Sequence, residues 1–211
     1  VTLINYLPNG VWHAAGVLAD GTLVSQTAKA LAHVHAPKTQ GAWTLQAACH
    51  PAVLHACALF SSVAALLGSA GQANYSAANA CLDALASRRR SCSQAVVSVE
   101  WGGWAEIGMA SRGVASERMA AMEAASGFGR ITLMQGLGAL HAATFPGAPP
   151  LLGMMPVQWQ RLLGGDGVVP PFLTAMAKGI TKAQRSTSVQ RVSSMLSLEA
   201  ILEMVQRTAG G

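Results

Sequence analysis

Residues 53–79, VLHACALFSSVAALLGSAGQANYSAAN, contain the pattern on which the fold depends. Val53 to Ser61 form a short apolar run, which is typical of a β-strand buried on both faces. A glycine-rich loop follows. From Tyr75 onward apolar residues recur three and four positions apart, which predicts an amphipathic helix to about Arg89; these residues are Ala78, Leu82, Leu85 and Ala86. The stretch therefore predicts a strand, a loop and a helix in succession.

The same succession is repeated on both sides of this stretch. Upstream, Val11 to Gly16 predicts the end of a strand, and residues 23–34 and 38–48 predict two helical stretches separated at Pro37. Downstream, Ala95 to Val99 predicts a second buried strand, residues 115–125 and 131–143 are helix-like, and residues 151–163 predict a strand and a short helix. Alternating strands and helices predict an α/β fold with a doubly wound parallel sheet.

Composition narrows the class of protein. The chain has 211 residues, of which 51% are hydrophobic and 11% charged, so it is not a disordered chain. Its net charge is +5, but basic residues cluster only at Arg88–Arg90, where a predicted helix ends and cations favour the helix dipole. We therefore expect no nucleic-acid partner. The sequence also predicts no membrane span and no signal peptide.

The four cysteines predict neither a disulfide framework nor a metal site. They form no C-x-x-C pair, which favours a reducing, cytoplasmic setting. The group Cys49, His50, His55 and Cys57 matches no common zinc spacing, and its last two members fall on one predicted strand.

Polar residues meet where the first predicted strand of this stretch ends. Ser61 and Ser62 lie at its carboxyl end, where ligands bind in open parallel sheets, and Tyr75 and Asn79 share one helix face. A phenol has a pKa of about 10, and a lysine ammonium nearby would lower it. With a serine hydroxyl on the same oxygen, the pair suits proton donation to a ketone. The alternative is a buried tyrosine with a satisfied hydroxyl and an asparagine that bonds locally.

Five motifs occur in a characteristic order. They are His-Ala-Ala-Gly-Val-Leu (13–18), Pro-Lys-x-x-Gly-Ala (37–42), Phe-Ser-Ser (60–62), Gly-x-x-Gly-Gln-x-Asn-Tyr-x-x-Ala-Asn (68–79) and Trp-Gly-x-Trp (101–104). In this order they resemble the β-ketoacyl reductase domains of modular polyketide synthases, which belong to the short-chain dehydrogenase/reductase superfamily. The resemblance covers about residues 11–163.

The resemblance implies catalytic roles. Tyr75 would be the proton donor, and Ser62, thirteen residues before it, would orient the carbonyl; Ser61 is the weaker candidate. In most of the superfamily a lysine lies four residues after the tyrosine, but here Asn79 occupies that position. The matching lysine is Lys38, as in the reductases of polyketide synthases and animal fatty-acid synthases, and Asn79 would support it.

The resemblance also implies a cofactor and partners. The family uses NADPH, whose nicotinamide end would contact His13, Ala14, Ala15, Gly16, Trp101 and Gly102. The substrate would be a β-ketoacyl thioester carried on the phosphopantetheine of an acyl carrier protein, and other synthase domains would share the polypeptide. The sequence contains no G-x-G-x-x-G motif to hold the cofactor pyrophosphate, so we expect the N-terminal, phosphate-binding half of the domain to be truncated.

Domain boundaries follow from the same comparison. Residues 1–163 would form a partial ketoreductase domain, and residues 164–194 would form a linker, in which residues 175–194 are rich in Ser, Thr, Lys and Gln. Residues 195–211 resemble the start of a carrier-protein helix. Two other interpretations remain: a non-catalytic structural module of a megasynthase, and a serine hydrolase, which the absence of a G-x-S-x-G motif disfavours.

The predicted stereochemistry of the product depends on three further positions. Reductases of this family that give a D-configured hydroxyl tend to carry Leu-Asp-Asp where this chain has Leu18-Ala19-Asp20, whereas those giving the L-alcohol tend to carry tryptophan at the position of Leu67. Asn74 also matches the D-type pattern. The resemblance therefore implies a D-hydroxyl product.

Overall fold

A computed structural model of the chain describes residues 8–49, 54–106, 123, 127–164 and 168–177. They fall into two compact units, one formed by residues up to Trp101 together with Met134–Met154, the other by Gly102–Leu133 and residues from Met155 onward. The expectations for residues 178–194 of the linker, for residues 195–211 and for most of residues 115–125 lie outside the described residues. In the described part of the linker, Pro171–Leu173 forms a 3-10 turn.

The first unit contains a four-stranded parallel sheet. Its strands, β1 (Gly10–His13), β2 (Ala56–Ser62), β3 (Val97–Trp101) and β4 (Leu151–Met154), lie side by side in the order of the sequence. Helical segments connect consecutive strands, so the predicted α/β class and parallel sheet are confirmed. Ser62 at the end of β2 pairs with Trp101 at the end of β3, which places both on the same sheet edge.

The connection from β1 to β2 differs from the prediction. Two helical stretches separated at Pro37 were expected, but α1 (Ala28–His35) and α2 (Gly41–Cys49) are joined by a π-helical segment, Ala36–Gln40, that contains the proline. Proline has no N–H to donate within a helix, and the wider π turn accommodates this loss without ending the helix. The N–H of Gly41 bonds to the carbonyl of Ala36, five residues earlier. This segment carries Lys38.

The helix after β2 confirms the prediction and begins two residues earlier than expected. A short helix, α3 (Ala64–Leu67), occupies part of the predicted loop, and α4 runs from Ala73 to Ser91. The apolar face of α4 packs on β2 in a cluster formed by Ala42, Cys57, Leu59, Leu82, Leu85, Ala86 and Val96. Removing this surface from water holds α4 against the sheet.

Helix α5 (Leu133–Ala143) leads to β4, and in the second unit α6 (Trp159–Leu163) follows an antiparallel bridge between Phe128 and Val157. Both helices and β4 confirm the elements predicted for residues 131–143 and 151–163. Gly127 is required here because its φ is +78° and a Cβ would lie 2.8 Å from the Cβ of Arg161.

We expect Leu82→Ala to lower the free energy of unfolding by about 2–5 kcal/mol, because Leu82 is fully buried and its truncation leaves a cavity. Urea denaturation followed by tryptophan fluorescence measures the change. Leu137→Ala, at a side chain 51% exposed on α5, is the control and should change stability by well under half that amount. Equal losses in the two variants would contradict the assigned core.

Candidate active site

Lys38 projects from the π-helical segment into the interior of the first unit. Its side chain is only 3% exposed, and its Nζ donates a hydrogen bond to the carbonyl of Phe60 on β2 at 2.9 Å. The segment is itself held by His13, whose buried imidazole Nε2–H donates to the Lys38 carbonyl at 2.9 Å. Burial lowers the pKa of Lys38 to about 8, against the opposing effect of the Asp83 carboxylate. At neutral pH the ammonium therefore still predominates.

Tyr75 lies next to this ammonium. The Nζ of Lys38 is 5.2 Å from the centroid of the Tyr75 ring, which is within the range of a cation–π contact. Gly16 approaches Lys38 on another side, since a Cβ at residue 16 would lie 3.0 Å from the Lys38 Cε. A larger residue at position 16 would displace the lysine.

Asn79 and Ser62 both affect the pKa of the Tyr75 hydroxyl. Burial raises the pKa of Tyr75, while hydrogen bonds from the side chains of Asn79 and Ser62 act in the opposite direction. The expectation that Lys38 would give this phenol a lowered pKa is wrong for this structure, because desolvation of the phenolate outweighs the neighbouring dipoles. Asn79 is fully buried, and its Nδ2 donates to the Tyr75 carbonyl at 2.8 Å.

Ser61 and Ser62 face opposite sides of the sheet, as successive strand residues do. The Ser62 Oγ accepts a hydrogen bond from the Ala64 N–H at 3.2 Å, where α3 begins. The Ser61 hydroxyl instead donates to the carbonyl of Asn79 under α4 at 3.4 Å. Of the two serines, Ser62 affects the pKa of Tyr75, and the preference for Ser62 over Ser61 stays a prediction.

Two of the three positions singled out for stereochemistry, Asn74 and Asp20, bond between the loop after β1 and the start of α4. Asn74 is buried, its Nδ2 donates to the Ala19 carbonyl at 2.8 Å, and its Oδ1 accepts from the Tyr75 N–H at 2.8 Å. The carboxylate of Asp20 accepts from Gln72 Nε2 at 3.2 Å, and Leu67, half-buried, ends α3. The loop after β1 is thereby tied to the loop before α4.

Residues suited to the nicotinamide end lie at the carboxyl edge of the sheet. Ala14 and Ala15 follow β1 and are exposed, Gly16 lies against Lys38, and Trp101 ends β3; Gly102 belongs to the second unit. Exposed backbone at Ala14 and Ala15, directly after a strand of a parallel sheet, lies at the end of the strand where nucleotides bind in open α/β sheets. His13 differs from the expectation, because its imidazole is buried on Lys38 rather than presented to a ligand.

Four buried polar residues under α4 extend the site beyond what the sequence suggested. Asp83, Ser98 and Glu100 join Ser61 there, and Ser98 Oγ donates to Asp83 Oδ1 at 2.6 Å. Two signals could have indicated them. Asp83 continues the Tyr75–Asn79 spacing by four residues, and Glu100 is a charged residue in an otherwise uncharged strand.

Within the part of the chain that the structure describes, no group of three or more His, Cys, Asp or Glu side chains could hold a metal ion. Across those residues no helix has the length and apolar character needed to cross a membrane.

A parallel sheet with helices between its strands is the fold of the short-chain dehydrogenases/reductases. Residues 7–106 match the family model described as the KR domain. Polyketide synthase GfsA of Streptomyces halstedii is 36% identical over 210 residues, which cover 93% of this chain and 3% of that protein.

Solved structures give the same result. The ketoreductase from the first module of phoslactomycin biosynthesis in Streptomyces sp. HK803 superposes with a TM-score of 0.70 at 34% identity, over 82% of this chain and 39% of that one. A-type ketoreductases from a modular polyketide synthase give a TM-score of 0.67 at 32% identity, over 88% of this chain and 36% of that one. The chain belongs to the ketoreductase domains of modular polyketide synthases. It spans well under two thirds of the length of each of these relatives.

We expect the wild-type chain to gain stability relative to Lys38→Met as the pH rises. The pKa of Lys38 is about 8 in the folded chain against an ordinary value of 10.5, so between these values the unfolded chain binds more protons and the free energy of unfolding increases with pH. The gain between pH 7 and 11 should be about 3 kcal/mol. Urea denaturation at a series of pH values measures it.

Lys29→Met, at an exposed lysine on α1, is the matched control for this comparison. Its stability should follow that of the wild type at every pH. If the free energies of unfolding of the wild type and of Lys38→Met changed in parallel with pH, the lowered pKa of a buried Lys38 ammonium would be contradicted.

Proposed function

We propose that this chain supplies the catalytic residues of an NADPH-dependent ketoreductase that reduces a β-ketoacyl thioester to a β-hydroxyacyl thioester. The proposal is carried by the convergence of Ser62, Asn79 and Lys38 on Tyr75. A merely structural tyrosine has no need of a buried ammonium against its ring.

In this mechanism Tyr75 donates its phenolic proton to the oxygen of the substrate ketone. The Ser62 hydroxyl donates a hydrogen bond to the same oxygen and stabilises the negative charge that develops on it. Lys38 then stabilises the phenolate that remains, since an ammonium close to the ring favours the charged form. Bound NADPH would supply the hydride that adds to the carbonyl carbon.

Asn79 and His13 hold this arrangement in place. Asn79 fixes the first turn of α4 through the Tyr75 carbonyl, and His13 fixes the segment that carries Lys38. Tyr75 is protonated at neutral pH, which is the form that a proton donor requires, and the rise in its pKa by burial makes it a weaker acid that depends on Lys38 to stabilise the phenolate.

We assign the nicotinamide end of the cofactor to the residues at the carboxyl ends of β1 and β3, and its pyrophosphate to a glycine-rich segment outside this sequence. The absence of a G-x-G-x-x-G motif supports this division, and so does the 36–39% coverage of the two solved ketoreductases. The thioester would be presented by an acyl carrier protein through phosphopantetheine, with the other domains of a cytoplasmic synthase as further partners. Residues 164–194 would link to a carrier domain beginning near residue 195.

The alternative is a structural module that keeps the reductase fold without activity. Such a module would have no need for a buried ammonium, which costs stability, and the burial of Lys38 therefore favours the enzyme. A measurement of turnover distinguishes the enzyme from the structural module.

We expect Tyr75→Phe to lower the rate of ketone reduction about 10²–10⁴-fold, because the substitution removes the phenolic group that donates the proton. The assay joins this chain behind the nucleotide-binding half of the phoslactomycin ketoreductase and follows NADPH oxidation with a β-ketoacyl thioester. NADPH binding, measured by fluorescence titration, should stay nearly unchanged. Ser69→Ala, in the loop before α4, is the control for a hydroxyl outside the site. Near-normal turnover by Tyr75→Phe would refute the assignment.

The product stereochemistry depends on which side of Tyr75 admits the thioester. Asn74 and Asp20 tie the loop after β1 to α4 on one side, whereas position 67 carries leucine and not tryptophan on α3. We propose that the thioester enters past Leu67 and that the reduced product carries a D-configured hydroxyl.

For the same chimeric reductase, chiral chromatography of the product is expected to give mainly the D-isomer. Leu67→Trp should lower that excess, because the larger ring narrows the proposed entrance, whereas Leu66→Trp at the exposed neighbouring position should not. A wild-type product that is mainly the L-isomer would overturn the proposal.

A further inference from the structure

The carbonyl oxygen of Lys38 accepts two hydrogen bonds, and one of them comes from a distant part of the chain. The N–H of Gly41 donates to it within the helical region, and the Nε2 of His13 on β1 lies 2.9 Å from it. Because a carbonyl oxygen only accepts, this Nε2 carries the imidazole proton. His13 is 4% exposed, so the bond is made away from water. Strand β1 therefore holds the main chain of the residue that carries the ammonium.

Gly41 leaves the space that the imidazole of His13 occupies. The φ of Gly41 is −58°, which is helical and open to any L-residue, so its backbone conformation does not require glycine. A Cβ at residue 41 would, however, lie 3.2 Å from the Cε1 of His13 and 3.8 Å from its Nε2. An alanine at this position would press on the imidazole that holds the Lys38 carbonyl. The absence of a side chain at residue 41 is therefore matched to the histidine at residue 13.

The side chain of Lys38 is fitted as closely as its main chain. A Cβ at Gly16 would lie 3.0 Å from the Cε of Lys38 and 3.5 Å from its Nζ. The Nζ donates to the Phe60 carbonyl at 2.9 Å and lies 5.2 Å from the centroid of the Tyr75 ring. A shift of the π-helical segment would therefore change the distance of the ammonium from both groups.

We propose that His13 and Gly41 together set the position of the Lys38 ammonium, and that His13 is a positioning residue for ketone reduction instead of a contact of the cofactor. The imidazole holds the main chain of the π-helical segment, and Gly41 gives it the room to do so. The inference rests on the proposed function for its catalytic consequence, whereas the placement of Lys38 by these two residues does not.

The placement of Lys38 is tested in the 211-residue chain without cofactor or substrate. Trace acetic anhydride acetylates accessible lysines, and mass spectrometry compares the rate at Lys38 with that at the exposed Lys29. His13→Leu should raise the rate at Lys38 about tenfold, because one buried hydrogen bond is lost and the segment opens more often. His13→Gln, whose amide can donate to the same carbonyl, should keep the rate within about twofold of wild type. The rate at Lys29 should be the same in all forms.

Gly41→Ala tests the same placement from the other side of the contact. It should raise the acetylation rate of Lys38 by displacing the imidazole, and it should add little in a chain that already carries His13→Ala. Gly138→Ala on α5 is the matched control, because a Cβ there would meet no atom within 4 Å. If His13→Leu does not fold, Gly41→Ala and its control decide the question. A rate at Lys38 that stays at the wild-type value in either folded variant would overturn the role assigned to that residue.

The catalytic consequence is tested in the chimeric reductase. His13→Leu should lower kcat about tenfold and leave the KM for NADPH within about twofold of wild type, because a displaced Lys38 affects the chemical step and not cofactor binding. His13→Gln should restore most of the rate. A raised KM for NADPH with kcat unchanged would show that His13 contacts the cofactor and would overturn the proposal. A chimera that is inactive in every form, with the expected acetylation rates, would refute the proposed function and still support the placement of Lys38.

Discussion

The Lys38 ammonium is buried in the interior, and the rest of the site is arranged to make that possible. An unpaired buried ammonium would lose its proton, so its surroundings must supply hydrogen-bond acceptors and negative charge. The Phe60 carbonyl supplies an acceptor, and the charge of Asp83 raises the pKa of Lys38 against the effect of burial. Tyr75 adds the face of its ring, which carries partial negative charge.

These groups come from separate parts of the chain, and the parallel sheet brings them to one edge. β2 and β3 run in the same direction, and the backbone N–H of Val63 bonds to the carbonyl of Trp101 where both strands end. The helix that follows β2 must return over the sheet, which places the first turn of α4 at the same edge. Tyr75 and Asn79 are in that turn region, so the topology itself brings them to Ser62.

The π-helical segment shows how a proline is accommodated next to a buried lysine. Pro37 has no N–H for a regular α-helical hydrogen bond, and the segment stays helical through a wider turn. The next residue, Lys38, is buried and bonds to the Phe60 carbonyl of β2. His13 then fixes the segment through the Lys38 carbonyl. Pro37 therefore lies inside the helical segment that carries the buried Lys38. It does not end the helix, contrary to the prediction from the sequence pattern.

The sequence by itself determined the α/β class, the positions of the strands and of α4, and the family, because apolar periodicity and motif order are local properties. It also indicated Ser62, Tyr75, Asn79 and Lys38 through motif spacing. Only the tertiary structure decided that helical structure continues through Pro37 and that His13 turns inward. It alone brought Ser98 of β3 to Asp83 of α4. Burial and strand register set these contacts, and both depend on residues distant in sequence, so no local pattern encodes them.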